Sequence, residues 1–138
     1  MVTTPAAVLS AAVTILAVVV YLATGMVVGR MRYKHKVAPP AVTGAPEFER
    51  AYRVQLNTLE QLAVFLPMLW IATAFPVEIG WFAPAFGLVW VLGRILYMRG
   101  YLAAPEKRSL GFNLAAGATI ALLVLAVIGV VDAWMAHA

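Results

Sequence analysis

The sequence predicts an all-α integral membrane protein, a bundle of four transmembrane helices forming one domain over residues 1–138. Hydrophobic residues make up 64% of the chain and charged residues only 12%, whereas a typical soluble domain has about 45–50% and about 25%. Four spans are predicted, at about residues 5–29, 48–75, 79–101 and 109–136. The short segments between them leave no length for a separate soluble domain.

The first span is the clearest, because residues 5–29 are 25 positions without a charge and roughly 20 suffice to cross a bilayer core. Residues 1–4 carry no Lys or Arg, and the apolar run is too long for a secretory signal, so we interpret it as a helix that stays in the membrane. A basic loop rich in turn-forming residues follows. It contains Arg30, Arg32, Lys34, Lys36, Pro39, Pro40, Gly44 and Pro46.

The other three spans differ in polarity. Residues 48–75 form the second predicted helix, which Pro76 ends, and its first three turns are polar, so half of it lies at the membrane interface. Residues 79–101 form the third, with Arg94 inside it, and residues 109–136 form the fourth.

Basic residues in the loops predict the orientation. The first loop carries four Lys or Arg, the second none, and the third Arg99, Lys107 and Arg108. The positive-inside rule therefore places loops one and three in the cytoplasm and both termini outside. The net charge of +4 is assigned to topology and to contact with membrane lipids, with no nucleic acid as partner. Short loops and the lack of a targeting segment favour a bacterial inner membrane.

Several kinds of chemistry are excluded by residue type. The chain has no cysteine, which removes disulfides, thiolate metal sites and a cysteine nucleophile. His35 and His137 are far apart and have no acidic residue at a metal-ligand spacing, so no metal is expected.

Two polar stripes lie near the cytoplasmic ends of the helices, where ionisable residues in membrane spans are candidates for function. Arg53, Asn57 and Glu60 follow at i, i+4 and i+7 on helix 2 and share one face. A cation, an amide and an anion in one row suit a zwitterionic ligand. The alternative is that Arg53 and Glu60 satisfy each other or neighbouring helices.

The second stripe is Arg94, Tyr97 and Tyr101, at i, i+3 and i+7 on helix 3. On spacing alone, a snorkelling arginine with tyrosines at the headgroup boundary is the simpler explanation. Arg108 and Ser109 open helix 4 after Pro105, where they fit either a topological charge with an N-cap or an anion site at a helix N-terminus.

These residues resemble a known family. The run from Phe48 to Glu60, FERAYRVQLNTLE, resembles the helix-2 signature of the membrane-associated proteins in eicosanoid and glutathione metabolism, the MAPEG family. Further segments match family counterparts in order and spacing: Pro39-Pro40 with Gly44, Gly93-Arg94 through Tyr97, Gly100-Tyr101, and Ala104 to Ser109. The resemblance covers roughly Arg30 to the C-terminus.

The resemblance implies a four-helix subunit that assembles as a homotrimer and binds glutathione, as co-substrate, between subunits near the cytoplasmic face. The positions that it implies for glutathione binding are Arg32, Arg53, Gln55, Asn57, Glu60, Arg94, Tyr97 and Tyr101. Arg108 matches the arginine to which the family's enzymes assign thiol activation, and Ser109 matches an auxiliary serine of the prostaglandin E synthase branch.

The expected function is that of a membrane-bound glutathione transferase that detoxifies hydrophobic electrophiles or modifies lipids, with glutathione-dependent peroxidase activity as a further expectation. The chain keeps Arg53 and Arg108, which the family's non-enzymatic lipoxygenase-activating branch lacks. Tyr33 and Gln61 depart from the leukotriene C synthase branch, which argues against eicosanoid-specific chemistry. Two alternatives stay open: a non-catalytic lipid-binding scaffold that uses the same groove, and a small four-span transporter that uses the Glu60 carboxylate.

Overall fold

A computed structural model describes residues 4–77 and 80–137. It contains four long α-helices, α1 (Pro5–His35), α2 (Pro46–Ala74), α3 (Phe82–Ala103) and α4 (Ser109–His137), with a 3-10 turn at Pro105–Arg108 between α3 and α4. All four helices are long and apolar enough to cross a membrane. The predicted fold class, an all-α four-helix membrane bundle, is therefore confirmed.

The helices run beyond the predicted spans where polar residues can be solvated. Helix α1 continues to His35 because its basic last turn complements the negative end of the helix dipole. It stops where Lys36 adopts a left-handed conformation with φ 53° and its N–H donates to the carbonyls of Arg32 and Tyr33. Helix α2 begins at Pro46, whose fixed φ and missing N–H suit the first helical position. The predicted start of the third span, Ile79, lies outside the described residues.

The core runs along the middle of the bundle. Phe65 of α2 and Trp90 of α3 are fully buried and stack with ring centroids 4.1 Å apart. Ala17 of α1 and Leu122 of α4 are also fully buried against this cluster. The largest contact between two helices joins α3 to α4, and the next joins α1 to α2.

Glycines allow the close contact of α3 with α4. A Cβ at Gly93 would lie 2.8 Å from the backbone N of Ala115, and one at Gly111 would collide with the backbone N of Tyr97. The helix backbones are thus in direct contact, as in other membrane bundles with small residues at the interface. This contact fixes how the start of α4 faces the tyrosines of α3.

Candidate functional site

A cavity of about 480 Å³ lies where α2, α3 and the start of α4 meet. Its walls from α2 and α3 are Arg53, Asn57, Tyr97 and Tyr101. The 3-10 turn and α4 supply Arg108, Ser109, Phe112 and Asn113. The size falls in the range of about 300–1,000 Å³ typical of small-molecule sites. Six of the ten positions predicted for the site line this one cavity, which we call the groove.

Arg94 lies behind the groove wall. Its side chain is only 1% exposed, and it donates to Thr58 Oγ1 at 2.6 Å and to Asn57 Oδ1 at 3.2 Å. Its guanidinium Cζ lies 4.0 Å from the centroid of the Tyr97 ring. Arg94 therefore touches two of the groove residues, Asn57 and Tyr97, and holds their side chains in place.

The arginine at the mouth of the groove is less enclosed. Arg108 is exposed at the end of the 3-10 turn, with its Cζ 5.3 Å from the centroid of the Tyr101 ring. That ring stacks on Tyr97 with centroids 5.6 Å apart. Ser109 donates its hydroxyl to the carbonyl of Glu106 at 3.1 Å. The cation of Arg108 thus faces a groove with two tyrosine rings and, among its lining residues, no carboxylate.

Three predicted positions lie away from the groove in this chain. Arg32 donates to the carbonyl of Ala41 at 2.7 Å and sits over the Phe48 ring at 4.7 Å, so it braces the first loop. Gln55 faces α1, where its amide nitrogen lies 3.2 Å from the position of a Cβ at Gly25. Glu60 is exposed on α2 beyond the groove lining. Their role as glutathione contacts stays a prediction.

The chain matches the profile of the MAPEG family over residues 10–128. It belongs to the MAPEG family. The chain is 48% identical over 120 residues to an uncharacterized protein of Synechocystis sp., covering 87% of this chain and 86% of that protein. It is 41% identical over 128 residues to microsomal glutathione S-transferase 2 of Homo sapiens, covering 93% and 86%. It is 39% identical over 121 residues to leukotriene C4 synthase of Cavia porcellus, covering 88% and 79%.

These relatives support glutathione-related transferase activity at the level of the MAPEG family. They also agree with a multi-pass membrane protein that has four apolar helices. Glutathione as co-substrate follows for the family from the transferase among the relatives.

Sequence reasoning missed three residues of the groove and of the wall behind it. Phe112 and Asn113 line the groove four residues after Arg108 and Ser109, and that helical spacing was a usable signal. Thr58 accepts the hydrogen bond from Arg94 and donates its own hydroxyl to the carbonyl of Val54 at 2.7 Å. No spacing rule pairs Thr58 with Arg94, because the two side chains belong to different helices.

Arg94→Lys tests the bracing role of this side chain. We expect the variant to lower the free energy of unfolding by about 1–3 kcal/mol, because one ammonium replaces a planar fork and leaves a buried oxygen of Asn57 or Thr58 without its donor. Thermal unfolding in one detergent measures the change. Arg99→Lys is the control, since Arg99 is exposed on the same helix. Equal unfolding temperatures for the two variants would contradict the bracing role.

Proposed function

We propose that this chain is a membrane-bound glutathione transferase in which Arg108 stabilises the glutathione thiolate for attack on a hydrophobic electrophile. The observation that carries the proposal is the groove itself, where Arg53 and Arg108 meet two tyrosines and two asparagines and no carboxylate is among the lining residues. Two guanidinium groups in one cavity suit a dianionic ligand. Glutathione carries two carboxylates and one ammonium, so it becomes a net dianion when its thiol ionises.

The groove residues account for the parts of the tripeptide. Arg53 suits a carboxylate, because a guanidinium donates two parallel hydrogen bonds to it. Asn57, Tyr97 and Tyr101 supply amide and hydroxyl groups for the peptide bonds. The proposed partner of the glutathione ammonium is Glu60, which lies on α2 beyond the groove lining. Because Arg32 and Gln55 lie away from the groove in the same chain, we propose that a neighbouring subunit of a homotrimer presents them to the ligand.

The chemistry requires a lowered thiol pKa. A free thiol with a pKa of about 8.5 is mostly protonated at neutral pH, and lowering this pKa by about two units requires about 2.7 kcal/mol of preference for the anion. A charge-assisted hydrogen bond from Arg108, near the N-terminus of α4, is of this order. The thiolate sulfur then forms a bond to the electrophilic carbon, and the leaving group departs with its electron pair.

The substrate is proposed to be apolar. Phe112 lines the groove, and α4 continues below it with exposed side chains such as Ile120 and Val127. An electrophile or lipid hydroperoxide dissolved in the membrane would reach the thiolate along this surface. For orientation, we propose that loops one and three face the cytoplasm of a bacterial inner membrane, which supplies glutathione to the polar end of the bundle.

Arg53→Gln tests the binding part of the proposal. We expect glutathione affinity to fall about 10- to 100-fold, because a charge-assisted hydrogen bond contributes about 1.5–3 kcal/mol. Calorimetric titration of detergent-purified protein with glutathione measures it. Arg99→Gln removes the same charge from an exposed site on α3 outside the groove and should bind like the wild type. Unchanged affinity in Arg53→Gln would remove this residue from the site.

A further inference from the structure

A second cavity of about 470 Å³ lies beside the groove on the side of the first loop. Thr43 of the first loop, Arg50 and Tyr52 of α2, and Pro105 after α3 contribute to its walls. Arg53 and Tyr101 line both cavities. The two cavities are therefore neighbours that share one wall.

The cavities follow each other along α2. Arg50 lines only the second cavity, Arg53 lines both, and Asn57 lines only the groove. These three positions are spaced by one helical turn each and span about 10 Å at a rise of about 1.5 Å per residue. Thr43 lies in the segment between α1 and α2, and Pro105 lies in the segment between α3 and α4. The second cavity therefore lies at the end of the bundle that carries the first and third loops. A ligand arriving from the loop side meets Arg50 before it meets Asn57.

The charges of the second cavity favour an anion. Its lining contains two guanidinium groups, Arg50 and Arg53, and one carboxylate, Glu49. Glu49 is engaged elsewhere, since its Oε1 accepts the N–H of Gly44 at 2.9 Å. Within residues 4–77 and 80–137 neither arginine of the cavity forms a salt bridge with a carboxylate, and Glu47 interacts with Arg50 only at longer range.

Arg50 also has an unused donor. Its Nε is buried and has no hydrogen-bond acceptor among the described residues. A buried donor without a partner is unfavourable, so a rotation of the Arg50 side chain that brings Nε to a carboxylate oxygen in the cavity would be favoured. The cavity, its positive charge and this donor point to the same kind of ligand.

We propose that the second cavity is a vestibule for glutathione, in which Arg50 captures a carboxylate of the tripeptide and passes it to Arg53. This inference rests on the proposed function. Glutathione carries two carboxylates and one ammonium, so positive charge at the entrance attracts it before it is bound. Arg53 lies one turn further along α2 and lines both cavities, so the carboxylate exchanges one guanidinium for the next. Arg50 therefore controls the rate of entry, whereas the groove controls the stability of the complex.

Stopped-flow absorbance of the thiolate separates these two rates. Wild type, Arg50→Gln and Arg99→Gln are mixed with glutathione at about 20 mM and about 1 M salt, conditions that change the Debye length from over 10 Å to about 3 Å. We expect Arg50→Gln to lower the association rate constant about 3- to 10-fold at low salt and to match the wild type at high salt. Its dissociation rate constant falls by the same factor, so that the affinity and the amplitude at saturating glutathione stay unchanged. Arg50→Lys, which keeps the charge, restores most of the low-salt rate.

Arg99→Gln is the control for the vestibule. Arg99→Gln removes the same charge from an exposed position outside both cavities and should associate at the wild-type rate. Equal association rates in Arg50→Gln and Arg99→Gln would overturn the vestibule while the wild-type thiolate signal upholds the proposed function. A change confined to faster dissociation would overturn it too, because Arg50 would then be a contact of the bound complex. A wild type with no thiolate signal at saturating glutathione would overturn both proposals.

Discussion

Arg108→Ala should lower turnover of a generic electrophile at saturating glutathione about 25-fold at pH 7, because a thiol pKa of about 6.5 leaves roughly three quarters of the bound glutathione ionised and a pKa of about 8.5 leaves roughly 3%. The physical reason is the loss of about 2.7 kcal/mol of preference for the thiolate, which raises the pKa of bound glutathione by about two units. Because the sulfur reacts only as the anion, the variant regains activity as the pH rises toward the pKa of the free thiol. The measurement is the pH profile of kcat with an activated aryl halide.

The control for this prediction is Lys107→Ala. Lys107 is an exposed cation directly before Arg108 in the same 3-10 turn, and it does not line the groove. Its removal tests whether any positive charge in this turn suffices, and we expect a wild-type profile. An Arg108→Ala protein with undiminished turnover at saturating glutathione would show that thiol activation lies elsewhere.

Gly111→Ala should strongly destabilise the packing of α4 on α3. The added Cβ would collide with the backbone N of Tyr97 and lie 2.6 Å from the carbonyl oxygen of Gly93. Backbone atoms cannot turn aside as a flexible side chain does, so α4 must move away from α3. Overpacking of this kind typically destabilises by about 1–3 kcal/mol and occasionally more. The movement also separates Tyr97 from Arg108 and should weaken glutathione binding.

Gly117→Ala is the matched control on the same helix. A Cβ at Gly117 meets nothing within 4 Å, and alanine is favoured over glycine in a helix interior by up to about 1 kcal/mol. We therefore expect Gly117→Ala to unfold at or above the wild-type temperature in the same detergent, with Gly111→Ala well below it. Coincident unfolding curves for the two variants would contradict the close packing of α3 on α4.

Features within one helix were predictable from the sequence. The spacing of Arg53 and Asn57 on α2 and of Tyr97 and Tyr101 on α3 predicted two polar faces, and these residues line one cavity. Helical periodicity alone fixes such groupings. The third residue of the first stripe, Glu60, lies seven positions or about 10 Å from Arg53 along the axis. The groove does not extend that far in the single chain.

Contacts between elements were not predictable in the same way. The pairing of Arg94 with Thr58 depends on the register of α3 against α2, and no pattern in either helix specifies it. Arg32 provides a second example. Its guanidinium binds the carbonyl of Ala41 in the first loop, because backbone carbonyls of an irregular segment need donors. The sequence shows that Arg32 is present, but it does not show the conformation of the first loop that places a carbonyl within reach of its guanidinium.

The most direct test of the central claim is the ultraviolet absorbance of glutathione bound to the detergent-purified wild-type protein, followed as a function of pH. The claim is that the groove around Arg53, Tyr101 and Arg108 holds glutathione as a thiolate. It predicts a thiolate signal at neutral pH that titrates about two units below the free thiol. A thiolate signal that appears only near the pKa of free glutathione, with no heat of binding in calorimetry, would contradict it and favour a lipid-binding scaffold.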